Sequence, residues 1–179
     1  MQLRARKEGP AVSPYQLYKD REKGLTKRGR LRARNLWGRL VRKLWPLKEV
    51  RGWVTDRFGP SVHPFSGQWY LHKGIDIAQR MGTPIVAKAN GKVSRVDFEA
   101  LGYGHYVDIR HNYGFLTKYG HLQRSYVSQG QDIVRGQVIG GLGSSGLSTG
   151  PHLHYEIRIG NQVVDSTKYL SLSSRLPTD

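Results

Sequence analysis

Apolar and polar positions change rhythm once along this chain. Within residues 27–45, Leu36, Leu40 and Leu44 recur at spacings of four and interleave with Trp37, Val41 and Trp45. Arg32, Arg34, Arg39, Arg42 and Lys43 fill most of the remaining circumference. A repeat of four keeps side chains on one helical face, so the stretch predicts a basic amphipathic helix over 27–45. Pro46 stops it, having no N–H to continue the ladder. The residues before it carry few apolar anchors and no sustained period, and read as extended or disordered. Beyond Gly52 the period shortens to short β-like runs cut by glycine. Strands are predicted near 68–72, 75–78, 84–88, 91–98, 104–111, 114–119, 137–141, 152–159 and 162–164. Asn90-Gly91, His111-Asn112-Tyr113-Gly114 and Gly160-Asn161 are turn sequences of the sort that close hairpins. The pattern predicts an all-β, antiparallel, meandering domain over 53–179 behind a basic extension over 1–52.

Composition agrees with that class. The 22 glycines and 10 tyrosines favour short strands and tight turns. Charge changes the picture more by its place than by its size. Residues 1–52 hold 16 Lys and Arg against 4 Asp and Glu, a net of +12, while 53–179 hold 13 against 9, a net of +4; together these make the +16 of the whole chain. The basic character thus belongs to the extension. A polycation seeks polyanions: an anionic membrane surface or an anionic wall polymer through residues 1–45, with nucleic acid ranked behind them. The stripe at 36–45 serves equally to pack on the domain or to lie on a membrane surface. No apolar run reaches the roughly 18 residues of a transmembrane helix, and no apolar segment follows the charged start, so no export signal is recognisable.

Absence of cysteine excludes disulfides, thiolate metal sites, cysteine nucleophiles and iron–sulfur clusters together. A metal would need histidine and carboxylate. All seven histidines follow residue 60, and three groups stand out: His72-Lys-Gly-Ile-Asp76, Tyr119-Gly-His121-Leu122, and Pro151-His152-Leu153-His154-Tyr155-Glu156. In a strand, residues i and i+2 share a face, so His152 and His154 can enter one small volume, one on a metal and one beside it. A fully extended path would part His72 and Asp76 by roughly 13 Å, too far for shared ligation, so the chain is expected to bend at Gly74. A His, Asp, His set leaves one tetrahedral position open, as catalytic zinc requires, and His121 and His152 have the chemistry for proton transfer and oxyanion stabilisation. His63, His105 and His111, in a loop or flanking a strand and its turn, are expected to be structural.

These residues resemble the lysostaphin-type, or LytM-like, zinc endopeptidases of the bacterial cell wall. The likeness runs from Arg57-Phe58-Gly59 through His63-Pro64 and His72-Lys-Gly-Ile-Asp-Ile-Ala. It passes Gly82-Thr83-Pro84-Ile85, Ala89-Asn90-Gly91-Lys92-Val93, Gly102-Tyr103-Gly104, Thr117-Lys-Tyr-Gly-His121-Leu122 and Gly136-Gln137-Val138-Ile139-Gly140. It closes on Gly143-Ser-Ser-Gly-Leu-Ser-Thr-Gly-Pro-His-Leu-His-Tyr-Glu156, covering residues 57–165. The resemblance implies zinc held by His72, Asp76 and His154, with His121 and His152 as the catalytic pair. It also implies a narrow groove walled by the glycine-rich loop 143–150, and the peptides of peptidoglycan as substrate, hence a periplasmic or extracellular place of action. Two positions depart from the family's habit: Ser61 where arginine is frequent, and Ser145 where threonine is. Neither is a metal or catalytic position.

Two other function classes use parts of the same pattern. A catalytically silent LytM-like domain, binding the wall or activating an amidase, is expected to have lost zinc ligands, whereas all three ligands and both auxiliary histidines are present. A lipoyl-carrier-like barrel would use the Gly91-Lys-Val and Gly136-Gln-Val-Ile-Gly patterns but has no use for the histidines.

Overall fold

The computed structural model describes residues 46–47 and 52–170. The basic extension and the helix expected over 27–45 therefore lie outside the described residues. Within them the regular structure is strand, with two short 3-10 turns. The strands are β1 (Trp53–Asp56), β2 (Gly59–Val62), β3 (Trp69–His72), β4 (Ile75–Ala78), β5 (Pro84–Val86) and β6 (Gly91–Glu99). They continue with β7 (Gly104–Arg110), β8 (Phe115–Ser125), β9 (Asp132–Ile133), β10 (Val138–Leu142), β11 (His152–Ile159) and β12 (Gln162–Val164). The all-β, antiparallel expectation holds, with β1, β2 and β9 added to the strands read from sequence.

One large sheet runs β1-β4-β11-β8-β7-β6-β9, with β12 on β11 and β10 bridging β5 and β8. β2 and β3 make a separate two-stranded sheet. Alternation explains why β11 sits at the centre. Leu153, Tyr155 and Ile157 point one way and are fully buried, together with Ile75 and Ile77 of β4, Tyr119 of β8, and Val107 and Ile109 of β7. Each such aliphatic side chain contributes about 1.5–3 kcal/mol by leaving water. The opposite face of β11 carries His152, His154, Glu156 and Arg158. Burying one face fixes the register, because a slip by one residue would send the histidines into the core.

Ahead of β1, Leu47 is 2% exposed and bridges Ile85, while the Pro46 carbonyl accepts the Val86 N–H at 2.8 Å. Asn90-Gly91 does not close a hairpin, contrary to expectation: β5 pairs with β10, and β6 with β7 and β9. Asn90 instead ties the core together, its carbonyl facing His111 Nδ1 at 2.8 Å and its side chain accepting the Arg135 N–H at 2.7 Å. Gly160-Asn161 does close the β11–β12 hairpin.

Candidate metal centre and groove

The chain leaves the small sheet at His72, the last residue of β3, and joins the large one at Ile75, so the expected bend falls on Lys73-Gly74. Glycine is required at position 74 for space. A Cβ there would lie 2.5 Å from the Tyr155 carbonyl oxygen and 3.0 Å from the His154 ring. Beyond the bend, the β4–β11 register sets Asp76 opposite His154. His72 Nε2, Asp76 Oδ1 and His154 Nδ1 converge: His72 to Asp76 is 3.2 Å, His154 to Asp76 is 2.8 Å, and the two ring nitrogens are 3.1 Å apart. His72 and His154 are buried and Asp76 half-buried, a group that could hold a metal ion.

Donor chemistry decides what this convergence is for. His72 Nδ1 lies 2.9 Å from the Arg57 carbonyl, which can only accept, so that nitrogen carries the proton and Nε2 offers a lone pair. His154 Nε2 lies 3.2 Å from the Glu156 carboxylate and Nδ1 2.8 Å from that of Asp76, so a metal ion at the shared point would take the place of the proton on Nδ1 while Nε2 keeps its own. With a metal there, two imidazole lone pairs and a carboxylate oxygen would face one point. Tetrahedral zinc, with bonds of about 2.0–2.1 Å, would set its ligand atoms roughly 3.3 Å apart, close to the separations found. The electrostatics of the site favour positive charge. Burial alone would lower the His154 pKa, but the carboxylates of Asp76 and Glu156 outweigh it and push it up to about 9. Burial likewise opposes ionisation of Asp76, yet hydrogen bonds with His154 and His72 hold its carboxyl well below the usual range.

His121 and His152 flank this point, their ring centroids 4.6 Å apart. Strict alternation would turn His121 toward the core with Tyr119. Its backbone is left-handed, at φ 56°, and this rotates the ring out of the alternation. Its N–H is held by the Tyr103 carbonyl at 2.7 Å. Both imidazoles are tied by Nδ1 to backbone carbonyls, His121 to Ser145 and His152 to Gly150, each at 2.8 Å. Both are thereby fixed as tautomers with a bare Nε2, and that of His152 lies 3.6 Å from Asp76 Oδ2. Burial, and then the neighbouring His152, lower the His121 pKa to about 4.

All five site residues named from sequence line one groove of about 360 Å³, together with Tyr70, Leu101, Tyr103 and Leu147. His63, expected to be structural, also lines it and packs edge-on against Tyr70 with centroids 5.5 Å apart. His105 packs on Phe98 outside the groove, and His111 is buried in the core. The loop 143–150 is stapled to the start of β7. Leu147 N–H donates to the Gly102 carbonyl at 2.9 Å, His105 N–H to Ser145 Oγ at 2.9 Å, and Ser145 Oγ–H to the Leu122 carbonyl at 2.7 Å. Gly104 and Gly146 interlock beneath it: a Cβ on Gly104 would collide with the Ser145 backbone, and one on Gly146 with the Gly104 backbone. Sequence reading assigned no role to Glu156 or Tyr103. For Glu156 the i+2 alternation from His154 is a usable signal; for Tyr103 there is none.

Two histidines and an aspartate around one point on a β frame, with two further imidazoles alongside, make the composition of a mononuclear metallohydrolase centre. Peptidase family M23 matches residues 70–166, more than half of the chain, and the chain belongs to that family. Its peptidases are zinc-dependent, so zinc is the cofactor, and His72, Asp76 and His154 are a group that could hold it. Over 126 residues the chain is 47% identical to DD-carboxypeptidase/endopeptidase Mpg of Neisseria meningitidis, covering 70% of this chain and 27% of that protein. Among solved structures, a zinc-containing peptidase from Vibrio cholerae has 36% identity and a TM-score of 0.64, covering 74% of this chain and 40% of that one. The catalytic domain of lysostaphin from Staphylococcus simulans has 29% identity and a TM-score of 0.60, covering 65% and 90% respectively. The fold is thus that of the lysostaphin-like peptidases, and the chain spans about a quarter of the length of the curated relatives it matches.

Proposed function

We propose that this chain is a zinc-dependent endopeptidase that hydrolyses peptide cross-links or bridges of bacterial peptidoglycan, working in the cell envelope. In this reading His72, Asp76 and His154 are the ligands and His121 and His152 the catalytic pair. The observation that carries it is the convergence of three donor atoms of metal-ligating type beside two imidazoles whose Nδ1 atoms are already committed. Zinc bound there would supply Lewis-acid polarisation of a carbonyl and make water acidic enough to ionise near neutrality. His121 and His152 supply what remains. Each presents an unprotonated Nε2 that can take a proton, and after taking it each becomes a donor beside a developing oxyanion. Their backbone carbonyl partners hold the rings in that tautomer without titrating. Tyr70, Leu101, Tyr103 and Leu147 line the groove and supply the apolar walls against which an extended peptide would lie.

The division of the chain belongs to the same reading. Residues 1–52 form a basic leader that brings the catalytic domain, 53–179, to anionic wall polymer or membrane, with Leu47 anchoring the junction. The complete ligand set favours the enzyme over a silent wall-binding or amidase-activating domain. Purified peptidoglycan of several chemotypes, digested with zinc-loaded protein, should yield new peptide termini identifiable by mass spectrometry. Metal analysis of His154→Ala should find strong loss of zinc. Absence of new termini on every chemotype would sink the activity, and full zinc occupancy in His154→Ala would sink the ligand assignment.

A further inference from the structure

We propose that Glu156 and Tyr103 are positioning residues that aim His154 at the metal and couple its orientation to that of His121. The inference rests on the reading of His154 as a ligand through Nδ1. Its starting point is a carboxylate in an unexpected place: Glu156 is 0% exposed, on the β11 face that carries His152 and His154. Burying a carboxylate is costly unless its oxygens are satisfied, and here the two oxygens have separate partners. Oε2 accepts two bonds from Arg158, from Nε at 3.0 Å and from a terminal nitrogen at 2.7 Å, which orients the carboxylate. Oε1 accepts the Tyr103 hydroxyl at 2.5 Å and faces His154 Nε2 at 3.2 Å.

Those contacts allow His154 few alternatives. A carboxylate already holding Arg158 and a tyrosine hydroxyl presents acceptors only, so the other tautomer would set a bare nitrogen against an anion, and a ring flip would replace Nε2 by Cε1 and lose the hydrogen bond. With a metal at the point shared with His72 and Asp76, the proton would stay on Nε2 and the lone pair of Nδ1 would stay aimed at that point. Arg158 is 30% exposed and has water available. Neutralising Arg158 therefore does not explain why the carboxylate lies in the interior.

Tyr103 extends the device to the second catalytic element. Its ring packs against His154 at 5.4 Å between centroids, its hydroxyl holds Glu156, and its carbonyl takes the N–H of His121 at 2.7 Å. The Lys118 ammonium lies 4.4 Å from its ring centroid and is paired with Asp108 at 3.0 Å, so the tyrosine is itself braced from behind. One residue thus touches the supports of both a ligand and a catalytic imidazole.

The test uses the full chain with Glu156→Gln and Tyr103→Phe, the second removing a single oxygen and serving if the first fails to fold. Competition against a chelator should give a zinc dissociation constant raised by about 10- to 100-fold in Glu156→Gln, and raised less in Tyr103→Phe. The visible spectrum of the cobalt-substituted protein should shift in both. At saturating zinc, kcat on muropeptides should fall with KM unchanged. Native affinity and a native cobalt spectrum in both variants, beside zinc loss in His154→Ala, would overturn the positioning role alone. Zinc retained in His154→Ala would overturn the ligand assignment and this inference with it.

Discussion

His111 and His121 are both buried, and burial pushes the pKa of each down to about 4, yet only His121 lines the groove. His111 lies in the core with both nitrogens engaged, Nδ1 at 2.8 Å from the Asn90 carbonyl and Nε2 at 2.7 Å from Thr117 Oγ1. His121 commits Nδ1 to Ser145 and keeps its other edge toward the groove. Depth and a depressed pKa therefore do not mark a functional histidine. A nitrogen left uncommitted by the fold does.

The widest separation between the two regions should appear in turnover. His121→Ala and His152→Ala should each lose roughly a hundredfold or more in kcat on muropeptides while keeping their zinc. Near-normal rates with zinc in place would remove those residues from the mechanism. His111→Gln should keep its turnover per folded molecule and instead lose stability, by roughly 1–3 kcal/mol in chemical denaturation, because Thr117 and Asn90 lose matched partners. A large fall in kcat for that variant would break the contrast.

pH sharpens the comparison further. The folded pKa of His111, about 4, lies below its ordinary 6.5, so between these values the unfolded chain binds the extra proton. The stabilisation is whole above pH 6.5 and falls away as pH drops toward 4, by about 3 kcal/mol in all. Subtracting the His111→Gln profile from that of the parent should isolate this slope, and a flat difference would contradict it. The smallest effect is expected from a chain beginning at Pro46. It retains Leu47 and should fold and cleave soluble muropeptides unchanged, while losing affinity for anionic vesicles at low salt. Unfolding of the shortened chain, followed by circular dichroism, would make the leader part of the domain; undiminished vesicle binding would remove the leader as anchor.

Much of this was legible from residues alone, and the failures have physical causes. The apolar alternation that defines β4, β7 and β11 is strong because their apolar face is buried. β2 was missed because Gly59-Pro60-Ser61-Val62 reads as a turn and turns its apolar side outward. Val62 is 48% exposed, and opposite it in β3 Trp69 is 75% exposed. β8 runs to Ser125, past Gly120 and His121, whereas the strand expected from sequence stops at 119. The five residues that the fold gathers in one groove stand out by type and spacing, while the roles proposed for them come from the resemblance; the bend at Gly74 follows from the reach of an extended chain. Three-dimensional contacts were needed for the rest: the left-handed turn at His121, the carbonyls of Ser145 and Gly150, and Tyr103, whose neighbours in sequence say nothing of Glu156.

The interlocked glycines beneath the loop bear on how this chain can change by mutation. Neither Gly104 nor Gly146 belongs to the metal or the catalytic pair, but a methyl group on either would drive the loop away from β7 and carry off the Ser145 carbonyl that holds His121. The collisions are reciprocal, so a second substitution cannot relieve the first unless it shortens the chain. In a saturation library selected for wall hydrolysis, these two positions should appear as intolerant as the zinc ligands. A selection for folded protein alone should tolerate them better, which would show an inherited constraint arising from the shape of a loop and not from its chemistry.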